Sequence, residues 1–276
     1  MSQRIAFVFP GQGSQTVGMG SDVYQASTAA RAVYAAADEA LGFPLSTLCF
    51  EGPESALRET VNTQPAIVAT SLALLAALQE AAGGAANEYM LTSPIRPEFV
   101  AGHSVGEYTA VATAGALDVV DTLRLVRERG RLMHEEGLRI PSGMAAVLGM
   151  DSETLTTVCA EATEQARAAL SVADLAAHPG AGRVVVANDN APGQVVISGA
   201  NDALNIAMEM ARAKGAKRVV PLAVSGAFHS PVMAPAAESL AAAVAAAPVR
   251  NATVPIIANI TAGPIQDETQ VRAELA

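Results

Sequence analysis

The chain has 276 residues, of which 51% are hydrophobic and 4% aromatic, with no Trp. That length allows one large core or two modest ones, and the scarcity of rings excludes an aromatic platform for sugars or single-stranded nucleic acid. A formal net charge of −10 argues against general nucleic-acid binding.

In chain order, Arg4 to Phe9 is a continuous apolar run, as expected of a central parallel strand covered on both faces. Pro10 to Gln15 follows as a Gly-rich loop at a strand end; in isolation it reads as a plain βα turn. Ser27 to Leu41 has helical periodicity, and Pro53 to Leu57 starts another helical turn. The next helix is expected to open at Asn62-Thr-Gln-Pro-Ala66, with Asn62 or Thr63 as cap and Pro65 in the first turn, and to run to about Ala82. Gly83 to Arg96 reads as loop. A short strand then meets Gly102, and an Ala-rich helix follows to Ala116. Asp118 to Glu136 is an amphipathic helix carrying Arg124, Arg127, Arg129 and Arg131. Arg129 and Arg131 lie two apart, so at about 100° per residue they cannot share a face, and one must turn away from solvent.

The pattern changes near Ile140-Pro141. Gly143 to Gly149 reads as a strand, Ser152 to Leu170 as a helix capped by Ser152, and Arg183 to Ala187 as a strand. Asn188 to Gly193 is expected to turn into a second strand, Gln194 to Ser198. Asn201 to Ala213 is a helix and Lys217 to Val224 a strand. This βαββαβ order is that of a ferredoxin-like unit. We expect it as a subdomain over residues 140–221, inserted into a parallel-sheet α/β domain formed by residues 1–139 and 222–276. Pro231 to Ala247 (helix) and Val254 to Ile260 (strand) complete that domain, and the chain stops inside what reads as a further helix.

The stretch with most chemical content is Gly102-His-Ser-Val-Gly106, placed between strand and helix. This is the G-x-S-x-G pattern of the nucleophile elbow of α/β-hydrolase-like folds. A serine thrust out on so sharp a turn needs small residues two positions to either side, and the following helix aims free N–H groups at the site. Ser104 is the candidate nucleophile, and the Val105 N–H is placed to serve an oxyanion. The same composition also fits a tight turn without chemistry. His229, in Ser225-Gly-Ala-Phe-His, is the histidine we choose as base, although a lone histidine is more often structural. His103 must point away from the serine beside it, and His134 and His178 read as solvent-facing. The histidines show no zinc spacing, so no metal is expected. Cys49 and Cys159 have apolar neighbours and no CxxC spacing, which reads as buried free thiols in a reducing cytoplasm. No leader is visible, and no apolar run is expected to cross a bilayer.

Phe9-Pro-Gly-Gln-Gly-Ser-Gln15, Thr63-Gln-Pro-Ala66, the Gly102 to Tyr108 stretch, Arg129-Gly130, Gly143-Met-Ala-Ala146, Asn188 to Val196 and Ala227-Phe-His229 occur in this order. Together they resemble the malonyl-CoA:acyl carrier protein transacylases of bacterial fatty-acid synthesis and the related acyltransferase domains of polyketide synthases. The resemblance implies that Ser104 carries the acyl group as an ester, with His229 as general base and then acid. It implies an oxyanion hole from the N–H groups of Gln12 and Val105. Arg129 would hold the free malonyl carboxylate, a task that suits a guanidinium fork. Gln64 and Asn190 would line the site, and Phe228 would crowd out an α-methyl group. The implied partners are malonyl-CoA and acyl carrier protein, reached by a ping-pong mechanism without cofactor in a cytoplasmic monomer. Arg212, Lys214, Lys217 and Arg218 are candidates for docking an acidic carrier protein. Family members normally continue a few tens of residues further, into a segment whose carbonyl orients the catalytic histidine, so no orienting group for His229 is assigned. The alternatives are a trans-acting polyketide acyltransferase and a G-x-S-x-G serine hydrolase, which would need an acid such as Asp189 or Asp202 between serine and histidine.

Overall fold

The structure, a computed structural model, describes residues 4–84 and 95–276. Most of the loop expected over 83–96 lies outside the described residues. The first elements are β1 (Ala6–Phe9), α1 (Ser21–Ala26), α2 (Thr28–Leu41), α3 (Leu45–Glu51), α4 (Glu54–Leu57) and α5 (Thr60–Ala81). Next come β2 (Phe99–Gly102), α6 (Gly106–Thr113), α7 (Val119–Gly137), β3 (Ser142–Leu148), α8 (Ser152–Ala168) and α9 (Val172–Ala177). Then follow β4 (Val184–Ala191), β5 (Gln194–Ala200), α10 (Asn201–Ala213) and β6 (Arg218–Pro221). A 3-10 turn (Pro231–Met233), α11 (Ala234–Ala246), β7 (Ile256–Ile257), β8 (Pro264–Ile265) and α12 (Glu268–Leu275) complete the chain. These elements form two compact units, one of residues 1–131 and 240–276, the other of residues 132–239.

The first unit is a mixed α/β structure on a sheet ordered β1-β2-β7-β8. β1, β2 and β7 are parallel, and β8 pairs antiparallel to β7. β1 is therefore not the central strand its composition indicates. It lies at the edge of the described sheet, and Val8 is 74% exposed. Tertiary placement decides this, because an apolar tetrapeptide carries no record of its neighbours.

α5 is the core helix of this unit, buried on all sides from Thr63 to Ala73. Among the described helices it alone is long and apolar enough to cross a membrane, contrary to the expectation from sequence, and most of its apolar window is buried inside the protein. A helix apolar all round is what a core position requires. It starts at Thr60, earlier than expected, which puts Pro65 inside it. Proline has no N–H for the Val61 carbonyl one turn back. That carbonyl instead accepts from Arg127 Nη1 at 2.7 Å, and the same nitrogen donates to Asn62 Oδ1 at 2.6 Å.

The second unit holds an antiparallel sheet ordered β4-β5-β3-β6, with α8 and α10 packed on it. Asp151 caps α8, its side chain accepting from the Thr154 N–H, where the sequence reading placed Ser152. The β4–β5 turn is only Pro192-Gly193, because Asn188 to Ala191 continue β4 with two irregularities of register. The segment before β4 folds α9, opened by a Ser171–Asp174 capping box. The two cysteines are free and buried, and burial pushes each thiol up to about 12.

His178 and His134 do not face solvent. His178 is buried, accepts from the Gly180 N–H at Nδ1 (3.0 Å) and bonds through Nε2 to Glu136 Oε1 (2.7 Å). With Nδ1 accepting, Nε2 carries the hydrogen and donates to the carboxylate. His134 is half-buried, and its Nδ1 is buried with no partner among the described residues.

Candidate active site

β2 ends at Gly102, and the chain reverses into α6 within three residues. The reversal is possible because Ser104 takes φ +51°, a value few non-glycine residues adopt. The two flanking glycines are needed on contact grounds. A Cβ on Gly102 would lie 2.0 Å from the Gly106 carbonyl, and one on Gly106 would lie 2.5 Å from Phe9 O. The elbow is thus wedged against the end of β1, where only hydrogen atoms fit.

Arg129 leaves the solvent-facing row of α7 and is 8% exposed. Its Nη1 donates to Oε1 of the fully buried Gln64 at 2.7 Å, and its Nη2 donates to Ser104 Oγ at 3.3 Å. The guanidinium lies 5.6 Å from the centre of the Tyr108 ring, a cation–π distance. Arg131, two residues on, pairs outside with Glu128, and Arg124 with Asp121. The inward arginine inferred from the spacing is therefore Arg129, with Arg127 half-buried over the Phe43 ring.

Gln12 sits in the turn after β1, and its side chain donates to Thr60 Oγ1 at 3.1 Å. Val105 is the buried N-cap of α6. The backbone N–H groups of Gln12 and Val105 have no partner among the described residues, which is the condition of an oxyanion donor awaiting charge. Ser104, Val105, Gln12, Gln64 and Arg129 all belong to the first unit.

Asn190, Phe228 and His229 belong to the second. His229 is exposed and, like Ser104, held in the left-handed region, at φ +57°. Its turn is tied by Ser230, whose hydroxyl donates to Ala227 O at 2.6 Å and accepts from the Val232 N–H at 3.2 Å. Phe228 is buried in a cluster with Met133, Met144, Val196 and Met233. Asn190 lies exposed on β4 rather than in a turn. Asp189 and Asp202, the acids a hydrolase reading would need, are exposed.

The sequence reading missed the residues behind the elbow. Asn259 donates from its side chain to Gly102 O at 2.7 Å and accepts from the Ser104 N–H at 2.9 Å. Glu107 is buried, and its carboxyl is pushed up to about 8, by burial first and then by the nearby Glu274. Glu107 follows the elbow directly, and that position was the one available signal; no spacing marks Asn259.

Residues 6–276 match the acyl transferase domain family. The chain belongs to that family. Within it, a Bacillus subtilis malonyl CoA-acyl carrier protein transacylase is 42% identical over 275 residues, covering 99% of this chain and 77% of that protein. The Escherichia coli K12 protein of the same name is 39% identical, covering 93% of this chain and 74% of the relative. Among solved members of the acyl transferase family, the transacylase of Coxiella burnetii superposes with TM-score 0.85 at 33% identity, covering 99% of this chain and 78% of that one. A malonyl-transacylase in complex with a type II polyketide synthase acyl carrier protein gives TM-score 0.85 at 34% identity, covering 99% and 80%. The chain is an acyltransferase, and the hydrolase alternative falls with that membership.

Proposed function

We propose that this chain transfers the malonyl group from malonyl-CoA to the phosphopantetheine thiol of acyl carrier protein by a ping-pong route through a malonyl ester of Ser104. The observation that carries the reading is a buried guanidinium 3.3 Å from the elbow serine. A neutral ester gives such a cation nothing to pair with, whereas a half-thioester of a dicarboxylic acid brings its own carboxylate.

Ser104 Oγ attacks the thioester carbonyl carbon while His229 takes its proton. The oxyanion accepts from the N–H groups of Gln12 and Val105, and the C–S bond then breaks. CoA leaves as a thiol with the proton from His229. The carrier thiol repeats the sequence in reverse, its proton passing through His229 to Ser104 Oγ. Arg129, held by Gln64, pairs with the malonyl carboxylate through both steps. Phe228 and Asn190 act in acyl selection and lining. We place the protein in the cytoplasm as a monomer without cofactor, and read its second unit as ferredoxin-like, on the βαββαβ order and the strand order β4-β5-β3-β6. Carrier docking falls to Arg212, Lys217 and Arg218; Lys214 already pairs with Glu161.

Intact-protein mass spectrometry after brief mixing with malonyl-CoA tests the route. One malonyl group is expected on the wild type and none on Ser104→Ala. Equal labelling of both proteins would overturn the serine ester.

A further inference from the structure

The ladder between β2 and β7 ends at the pair Ala101–Ile257. Two residues later the backbone that would continue it is engaged elsewhere: the Asn259 N–H donates to Glu107 Oε1 and not to Gly102 O. In a parallel ladder one residue gives its N–H and its C=O to the residues on either side of its partner. The Asn259 side chain does the same toward His103: its NH2 donates to Gly102 O at 2.7 Å, and its Oδ1 accepts from the Ser104 N–H at 2.9 Å. A primary amide presents an N–H donor and a C=O acceptor on one edge, as a strand residue presents its own N–H and C=O toward a neighbouring strand, so it can stand in for one residue of strand.

The backbone under this side chain is fixed as well. The Asn259 N–H donates to Glu107 Oε1 at 3.0 Å, and the Ile260 N–H donates to Glu274 Oε1 at 2.9 Å. The Glu107 and Glu274 carboxyls hydrogen-bond to each other. Next to them the Tyr108 hydroxyl donates to Leu275 O at 2.9 Å, which ties α12 to α6.

We propose that Asn259 is a positioning residue for the nucleophile: its side-chain amide extends the parallel ladder one residue past its backbone end and holds the peptide of Ser104 in its left-handed conformation. The inference rests on the reading of Ser104 as nucleophile. A serine at φ +51° needs outside bonds to stay there. When the amide is removed, the 102–104 backbone relaxes toward ordinary dihedrals, and Oγ moves from its place beside Arg129. A misplacement of about 1 Å costs on the order of 10²-fold in rate. Arg129 does not move, because Gln64 and Tyr108 hold it.

The test is single-turnover acylation of the full chain by malonyl-CoA, read by rapid quench and intact mass. Asn259→Ala is expected to lower the acylation rate constant about 30–100-fold, with the labelled fraction unchanged and half-saturation by malonyl-CoA within about twofold. Asn259→Asp replaces the donor to Gly102 O by a second acceptor; it is expected to slow at least about tenfold and carries the test should the alanine variant fail to fold. A residue that only supports the fold would lower the labelled fraction and leave the rate constant of the remainder as it was. That result, or a wild-type rate constant in Asn259→Asp, overturns the inference. Ser104→Ala in parallel separates the two claims: labelling of that variant sinks the nucleophile reading and this inference with it, whereas a silent Ser104→Ala beside wild-type rates in Asn259→Asp sinks this inference alone.

Discussion

Replacing Arg129 by lysine keeps the buried charge and removes the fork, so it isolates what the guanidinium geometry does. Arg129 spends Nη1 on Gln64 at 2.7 Å and has Nη2 3.3 Å from Ser104 Oγ. An ammonium is a point charge and cannot hold the buried Gln64 carbonyl while presenting two coplanar N–H groups to a carboxylate. Loss of one hydrogen bond to a charged group is worth about 1.5–3 kcal/mol. At about 1.4 kcal/mol per decade, kcat/KM for malonyl-CoA should fall about 10–150-fold in Arg129→Lys. Acetyl-CoA has no free carboxylate, so its acylation of Ser104 should be slow in the wild type and change by less than about threefold in the variant. Rapid-quench acylation with both donors measures the ratio. An equal fall for the two would refute the carboxylate pairing and leave Arg129 with a general structural role.

Two further outcomes concern buried acids. Glu107 has its carboxyl raised from 4.5 to about 8, so the folded chain holds a proton that the unfolded chain releases. Its stabilising contribution is complete below about pH 4.5 and is lost as pH rises through about 8. In Glu107→Gln the amide still accepts from the Asn259 N–H and donates to Glu274, so its melting temperature should decline less than that of the wild type between about pH 5 and pH 8; parallel curves would contradict the shared proton. In the other unit, His178→Ala strips a donor from Glu136, whose side chain is 5% exposed and also pairs with the outward Arg139 at 3.2 Å. The cost should be about 2–3 kcal/mol, read as a melting temperature lower by about 5–10 °C. No change in the melt would mean that water or a shifted backbone replaces the imidazole.

Local chemistry was legible in the sequence where a residue answers to its own neighbours. Gly102 is fixed by the sharpness of the turn at Ser104, where a Cβ would strike the Gly106 backbone, and the turn is written in five consecutive residues; Gly106 belongs to that pattern, although the contact that demands it is with Phe9 on β1. That one of Arg129 and Arg131 turns inward followed from helical geometry, because residues two apart on a helix cannot share a face; that it is Arg129 came from the family resemblance. The boundaries of α10, Asn201–Ala213, followed from its apolar period. The tertiary structure decided everything that depends on a partner far along the chain. Pro65 is tolerated inside α5 because Arg127, 66 residues from Val61, takes the orphaned carbonyl. His178 is buried because Glu136 meets it across 42 residues. Asn259 reaches the elbow across 155 residues, and only when β7 stops short does its amide become part of the ladder. Sequence periodicity records which side of an element is apolar. It does not record what stands opposite, and a hydrogen bond to a distant backbone group leaves no mark on either segment's composition.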